Sequence, residues 1–411
     1  MTHDWTSIEV GLVLQGGGAL GAYEWGAIEA LFGLMDELEE HIPVSLKAVT
    51  GVSIGAINGA CVVGVEGVNG KERRKHGREQ LGRLWNDLQL ETPFHGRYEL
   101  PFGLPSFAPG RDMSLLGLPG FYRPNYDLWN FPKWTSFYDT SPLKETLNKC
   151  IVFPKIDDSE TGFIVSAVDV ERGTLKRFRN AAGRQQRVQR PEEDDVVVPF
   201  MADHIMASGS LAPQFPWTTI KGCNRNGEPE IRHYWDGGIV DNTPLGDAME
   251  IFSEGDHVYR LLVVMNLYPL TGKKPENLLG VADRVHELSY GNRVRQDSAA
   301  AKRVNNLLKL IDELEKAATR GGVTLGPDLA QRVKEAREYK IANTVQIELQ
   351  TPGRGQARPD DEAGLRDFSP DTIAERRVRG HDRAAKKLQD ALAKDRAKLV
   401  SAAPIGASGR E

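Results

Sequence analysis

The sequence predicts an α/β fold in three layers, with a mainly parallel sheet between helices and a mostly helical C-terminal extension. Three observations lead to it. The first 65 residues alternate apolar runs of strand length with stretches of helical periodicity. Glycine clusters stand at both strand-to-helix junctions. Two more apolar runs of strand length follow, and the chain beyond about residue 272 turns to charged helical patterning.

Ile8–Leu14 is apolar with little alternation, the mark of a strand buried on both faces. From Ala19 to about Glu40, Leu20, Tyr23, Ala27, Ala30, Leu31, Leu34 and Leu38 recur at helical spacing. Val44–Thr50 reads as a second strand, and Ile54–Val65 as a helix of small residues able to pack closely. Strand, helix, strand and helix at these lengths form a right-handed βαβ unit with parallel strands. Phe163–Val170 and Arg260–Leu267 supply further strands.

Pro93–Tyr138 is dense in prolines and aromatics and is expected to form a cap over the core. Arg177–Val198 switches from basic to acidic and is expected to be an exposed excursion. Helical patterning over Leu278–Lys316, a strand at Asn343–Leu349 and a polar linker at Gly353–Gly364 come next. Ser369-Pro370-Asp371 has the form of an N-cap, a first-turn proline and an early acid, opening a charged helix to about Val400. The expected division is a core over 8–270 with a cap at 93–138, an extension over 271–400 and a disordered tail at 401–411.

The formal net charge of −5 gives no general attraction to nucleic acid. Cys61, Cys150 and Cys223 are odd in number and far apart, which argues for reduced thiols and against a metal or disulfide framework. The N-terminal residues lack the basic start and apolar run of a signal peptide, and no window reaches the ~20 apolar residues of a membrane span. A cytoplasmic protein is expected, without metal or organic cofactor.

Gly16-Gly17-Gly18-Ala19-Leu20-Gly21 matches G-x-G-x-x-G after a strand, the pattern that sets a pyrophosphate at a helix N-terminus. That pattern also expects an acid at the end of the next strand. Here the strand ends Thr50-Gly51-Val52-Ser53, with no carboxylate. What it delivers is Gly51-Val52-Ser53-Ile54-Gly55, a G-x-S-x-G nucleophile elbow. Both glycine loops follow strands of one βαβ unit, so both open at the carboxyl edge where such sheets place ligands. Gly16, Gly17 and Gly18 can then aim N–H groups at the oxygen of a carbonyl attacked by Ser53, and the Ile54 N–H can add to them. None of the nine histidines is a convincing partner for Ser53. Asp236, between Tyr234-Trp235 and Gly237-Gly238, is the carboxylate that stands out, as a catalytic base or as a simple turn residue.

LQGGGALGAY, GVSIG and WDGGIVDNTP, in that order, resemble the patatin-like phospholipases. Ala207–Pro216 (ASGSLAPQFP) resembles the A-S-x-x-x-P-x-x-F-P segment ahead of that family's D-G-G. Together these blocks span Leu12 to Pro244. Leu20 departs from the Arg or Lys that many members carry two residues after the third glycine. The GGGALGAY start and the C-terminal DFSPDTIAERRVRGHDRA are similar to a bacterial subgroup with a C-terminal helical extension. The resemblance implies a patatin-like core and a Ser–Asp dyad without histidine, with Ser53 as nucleophile and Asp236 as general base. It also implies an oxyanion loop at Gly16, Gly17 and Gly18, and a lipid carboxylic ester, phospholipid or lysophospholipid, as substrate. Asn242 is expected to brace its loop.

Tryptophan and tyrosine favour the boundary between water and acyl chains, so the cap is expected either to pack on the core or to dock at the inner face of a membrane. The basic runs Lys71–Arg78 and Lys176–Arg190 are expected to be solvated surface. Two other classes of function remain, a nucleotide-binding regulator using the glycine loop and a non-catalytic lipid-binding protein.

Overall fold

Alternate residues of the central strands serve two different layers, which is why those strands read as unbroken apolar runs. Val10, Leu12 and Leu14 join Leu261, Val263 and Met265 in one core, whereas Val13, Leu262 and Val264 belong to a second on the opposite face. The computed structural model describes residues 5–67, 69–92, 98, 109–184, 194–223, 228–253, 255, 257–268, 274–275, 278–336, 342–349 and 364–393. Its first elements are β1 (Ser7–Leu14), α1 (Gly21–Leu38), β2 (Val44–Gly51), α2 (Ile54–Val63) and α3 (Gly70–Asp87). A small antiparallel pair follows, β3 (Arg123–Pro124) with β4 (Tyr138–Asp139), then α4 (Ser141–Cys150). Next come β5 (Gly162–Asp169), β6 (Leu175–Arg179), β7 (Asp194–Val197), α5 (Ala202–Ser208), β8 (Thr218–Cys223) and β9 (Pro229–Asp236). The chain continues through α6 (Leu245–Ile251), β10 (Val258–Asn266), α7 (Leu278–Arg320), β11 (Asn343–Glu348) and α8 (Pro370–Leu392).

The sheet runs in the order β11-β10-β1-β2-β5-β6-β7, and β11, β10, β1, β2 and β5 are parallel. Helix α1 and α8 lie against the first core, while Leu245, Ala248 and Phe252 cover the second. Helices on both faces of a mostly parallel sheet make this the α/β architecture that the sequence predicts. Although α8 lies in the C-terminal third, it packs directly on α1. The Arg377 guanidinium sits 4.0 Å over the Trp25 ring and donates to both carboxylate oxygens of Glu29 at 2.8 and 2.7 Å. The predicted strand at Asn343–Leu349 is β11, which extends the core sheet by pairing with β10.

Arg177–Val198 is not an exposed excursion throughout. Leu175–Arg179 is β6, antiparallel to β5, with Phe178, Arg177 and Arg179 buried. The two arginines mask the strand because their charges are neutralised from afar. Asp247 of α6 accepts from Arg177 at 2.7 Å and from Arg179 at 3.3 Å. The basic run Lys71–Arg78 is likewise only partly solvated. It lies on α3, where buried Arg74 pairs with Asp36 at 2.7 Å and also with Glu39. The tail 401–411, the linker up to residue 363 and the helix beyond residue 393 lie outside the described residues.

The cap reading falls partly outside them too, since 93–97 and 99–108 are not described. Over 109–140 the aromatics divide in two. Phe121 and Tyr122 are buried, with ring centroids 5.6 and 5.3 Å from Phe215. Trp129 is 97% and Tyr126 75% exposed.

Candidate active site

Sheet register brings the elbow and the acid together. Gly51, the last residue of β2, lies opposite Val165 of β5, and Asp236, the last of β9, lies opposite Ala167. The other edge of β5 is taken by β6 along Ile164–Val168, so β9 must occupy the edge that β2 vacates. Ser53, two residues beyond Gly51, therefore emerges where Asp236 arrives.

The elbow is tight enough to exclude side chains beside the serine. A Cβ on Gly51 would stand 2.5 Å from the Gly55 carbonyl oxygen, and one on Gly55 would stand 2.6 Å from the Leu14 backbone. Ser53 itself holds φ 53° and ψ −124°, and it is the sole non-glycine residue with positive φ among the described residues. Such a conformation costs ~1–3 kcal/mol and persists only where its surroundings enforce it. The ASGSLAPQFP block provides part of that enforcement. Ser208 Oγ accepts from the Ser53 N–H at 3.0 Å, and the Ser210 carbonyl accepts from the Asp236 N–H at 3.0 Å.

Asp236 is buried, and desolvation pushes its carboxyl up to about 7. A 2.7 Å bond from the Gly238 N–H, and after it the neighbouring Ser53 side chain, oppose that rise by favouring the anion. Among the described residues no histidine hydrogen-bonds to Ser53. His204 is buried against Phe178 and Phe200, and burial lowers its pKa to about 4. His233 pairs with Glu171 at the surface.

The glycine loop lies against the elbow, for a Cβ on Gly16 would meet the Ser53 Cβ at 3.0 Å. The three glycines are not equivalent. The Gly16 N–H already donates to Asn242 Oδ1 at 3.0 Å, so it is not free to serve as an oxyanion donor. The N–H groups of Gly17, Gly18 and Ile54 meet no acceptor among the described residues. Asn242 braces the glycine loop rather than its own, since its Nδ2 also donates to the Gly16 carbonyl at 3.2 Å. On the outer side, the Leu365 carbonyl oxygen lies 2.6 Å from where a Gly18 Cβ would stand.

A buried polar network that the motifs do not announce ties the two glycine turns together. Glu24 of α1 accepts from the Gln15 N–H at 2.8 Å and from Asn58 Nδ2 at 3.0 Å. Trp85 Nε1 donates to Asn58 Oδ1 at 3.0 Å, and Gln15 Nε2 donates to Thr243 at 2.7 Å. Burial raises the Glu24 carboxyl to about 8 against these donors. The available signal was a lone acid in the helical run AYEWGA and a lone amide in IGAINGACVV, both set among small or apolar neighbours. Tyr268, whose hydroxyl donates to the Gly16 carbonyl at 2.7 Å, carried no signal at all.

A strained serine at a strand-to-helix elbow, with a buried acid and unoccupied backbone N–H groups nearby, has the form of a candidate nucleophile elbow on an α/β sheet. The family model for patatin-like phospholipases matches residues 12–249, more than half of the chain, and the chain belongs to that family. No curated protein matches it. Among solved structures, VipD from Legionella pneumophila aligns with 94% of this chain and 67% of its own at 16% identity, with a TM-score of 0.36.

Proposed function

We propose that this chain is a serine acyl hydrolase that cleaves lipid carboxylic esters, phospholipid or lysophospholipid, through Ser53 and Asp236. The observation that supports the reading is the placement of Ser53, held at a positive-φ elbow, beside a buried carboxyl that desolvation raises to about 7. A carboxylate of ordinary pKa, ~4, is a poor base for a hydroxyl, and burial makes this one stronger.

In the proposed reaction Asp236 takes the Ser53 proton as Oγ attacks the ester carbonyl carbon. The N–H groups of Gly17 and Gly18, with that of Ile54 at the start of α2, receive the developing oxyanion. Collapse expels the alcohol, which takes its proton from Asp236, and leaves an acyl group on Ser53. Water then attacks the acyl carbon and gives its proton to Asp236. The fatty acid leaves, and the proton returns to Ser53. No metal or cofactor takes part in this scheme. Among the described residues no group of histidine, cysteine and acidic side chains has the geometry of a metal site.

Among the described residues no helix is long and apolar enough to cross a membrane, so the proposed route to lipid is peripheral. Trp129, Tyr126 and Leu116 present exposed apolar surface from the cap. The cap is joined to the loop before β8 by the Phe137 and Tyr138 N–H groups, which donate to the Pro213 and Gln214 carbonyls at 3.2 and 3.0 Å.

The deciding experiment pairs a fluorophosphonate probe with hydrolysis of mixed lipid extract by the purified protein. Labelling and fatty-acid release are both expected from the parent and absent from a folded Ser53→Ala protein. Release at the parent rate by Ser53→Ala overturns the reading.

A further inference from the structure

The carboxyl ends of β10, β1 and β2 lie side by side in the sheet. Two of them supply the glycine loop and the serine, and the third supplies Tyr268, two residues beyond the last residue of β10. Tyr268 lies outside the 12–249 region that the family model covers. It is buried, and its ring packs at 5.1 Å from Tyr290 of α7.

The Gly16 carbonyl receives two donors, Tyr268 Oη at 2.7 Å and Asn242 Nδ2 at 3.2 Å. A peptide unit is planar and trans, so fixing the direction of one carbonyl fixes the opposite direction for the N–H of the next residue. Here that next N–H belongs to Gly17, which meets no acceptor among the described residues. A flanking glycine on each side makes this peptide unusually easy to rotate. Resting on the hydrolase reading above, we infer that Tyr268 is a positioning residue. Its hydroxyl locks the Gly16–Gly17 peptide so that the Gly17 N–H stays on the open side of the loop, ready for the oxyanion.

Tyr268 is suited to that role at every pH where the site works. Burial, and after it the neighbouring Tyr290, Asp236, Glu24 and Glu287, hold its pKa well above the ordinary tyrosine value. The hydroxyl therefore remains a donor while Asp236 titrates. A second donor from Asn242 alone would leave the carbonyl held on one side by a flexible amide at the longer distance.

The test is Tyr268→Phe, which removes one oxygen and keeps the ring packed on Tyr290. Turnover of p-nitrophenyl butyrate is referred to the fraction of chain that exhaustive fluorophosphonate labelling finds competent, so incomplete folding drops out of the comparison. Removing an oxyanion donor outright costs ~10²–10³ in rate, and a loosened donor should cost about tenfold in kcat. KM is expected to stay within about twofold, because the ground-state carbonyl uses this donor little. The inhibition constant of an alkyl trifluoromethyl ketone should rise by about the same factor as kcat falls, since its adduct with Ser53 carries the same negative oxygen. The pH midpoint of kcat should not move, because the base is untouched. A kcat and inhibition constant at parent values overturn the inference. So does a fall in kcat with unchanged ketone affinity, or with a displaced pH midpoint. If Ser53→Ala keeps its turnover, the hydrolase reading falls whatever Tyr268 does. If Ser53→Ala is inactive and Tyr268→Phe is unimpaired, only the role of Tyr268 falls.

Discussion

The β1–β2 unit and the chain beyond β10 touch the same few atoms but reach them by different means. In the first, the constraint is local. Gly51 and Gly55 must be glycine because backbone atoms stand 2.5–2.6 Å from any added Cβ, and Ser53 between them is held at φ 53°. In the second, the contribution is structural support. Tyr268 holds a carbonyl, β11 widens the sheet, and the turn at 364–366 closes on Gly18 from a distance of some 350 residues. Buried Arg376 of α8 fixes that turn by donating to the Gly364 carbonyl at 2.8 Å and the Asp367 carbonyl at 3.2 Å. Phe368 then stacks on Trp85 and meets Phe121 edge-on. Local chemistry leaves short motifs, and long-range support leaves none.

Substitutions in the two regions should fail in different ways. Ser53→Ala should show the largest effect, a loss of at least ~10⁴ in kcat on p-nitrophenyl butyrate. Its melting temperature should be unchanged or higher, because alanine removes only the hydroxyl from a strained position. Asp236→Asn should lose ~10²–10⁴ in kcat, the usual weight of a general base. Its stability sharpens the contrast further. The folded pKa of Asp236 is raised from 3.8 to about 7, so its contribution to stability is fully present below about pH 4 and is lost as pH rises through about 7. The asparagine variant should therefore gain in melting temperature relative to the parent across that window and hold the gain above it. Parent activity should rise with a midpoint near pH 7 as the base ionises. Scanning calorimetry at pH 5 and pH 8 checks the first point, and a pH–rate profile the second.

In the C-terminal region Phe368→Ala should act mainly on stability. Emptying a buried aromatic site costs ~3–5 kcal/mol, to be read by urea unfolding, and residual activity per folded molecule should exceed that of either dyad variant. A loss of turnover with stability intact would move this segment from support into chemistry. Trp129→Ala should have the smallest effect, since a residue 97% exposed adds little to folding. It should keep the parent's turnover of soluble ester while lowering recovery with liposomes several-fold in flotation, a full acyl-chain contact being worth ~1.5–3 kcal/mol. Equal recovery of both proteins would break the proposed docking surface.

The elbow, the glycine loop and the central parallel strands were legible because each is encoded by neighbours in sequence. The strand β6 was not, because Arg177 and Arg179 look solvated until Asp247 is folded beside them. Nor did the sequence separate the three glycines, for only Asn242, 226 residues away, takes the N–H of Gly16 and leaves those of Gly17 and Gly18 free. Asn242 itself was singled out by its place after D-G-G, but the atoms it would hold were not.

By itself the sequence determined where turns must be tight, which strands are buried on both faces and which serine stands at the bend. These follow from local sterics and from hydrophobic periodicity, properties of a few adjacent residues. The tertiary structure alone decided that β9 takes over the edge β2 gives up, and so that Asp236 meets Ser53. It also decided how far that acid's pKa rises and which backbone donors stay unoccupied. Those depend on register between distant strands and on exclusion of water, and neither exists until the chain has closed on itself.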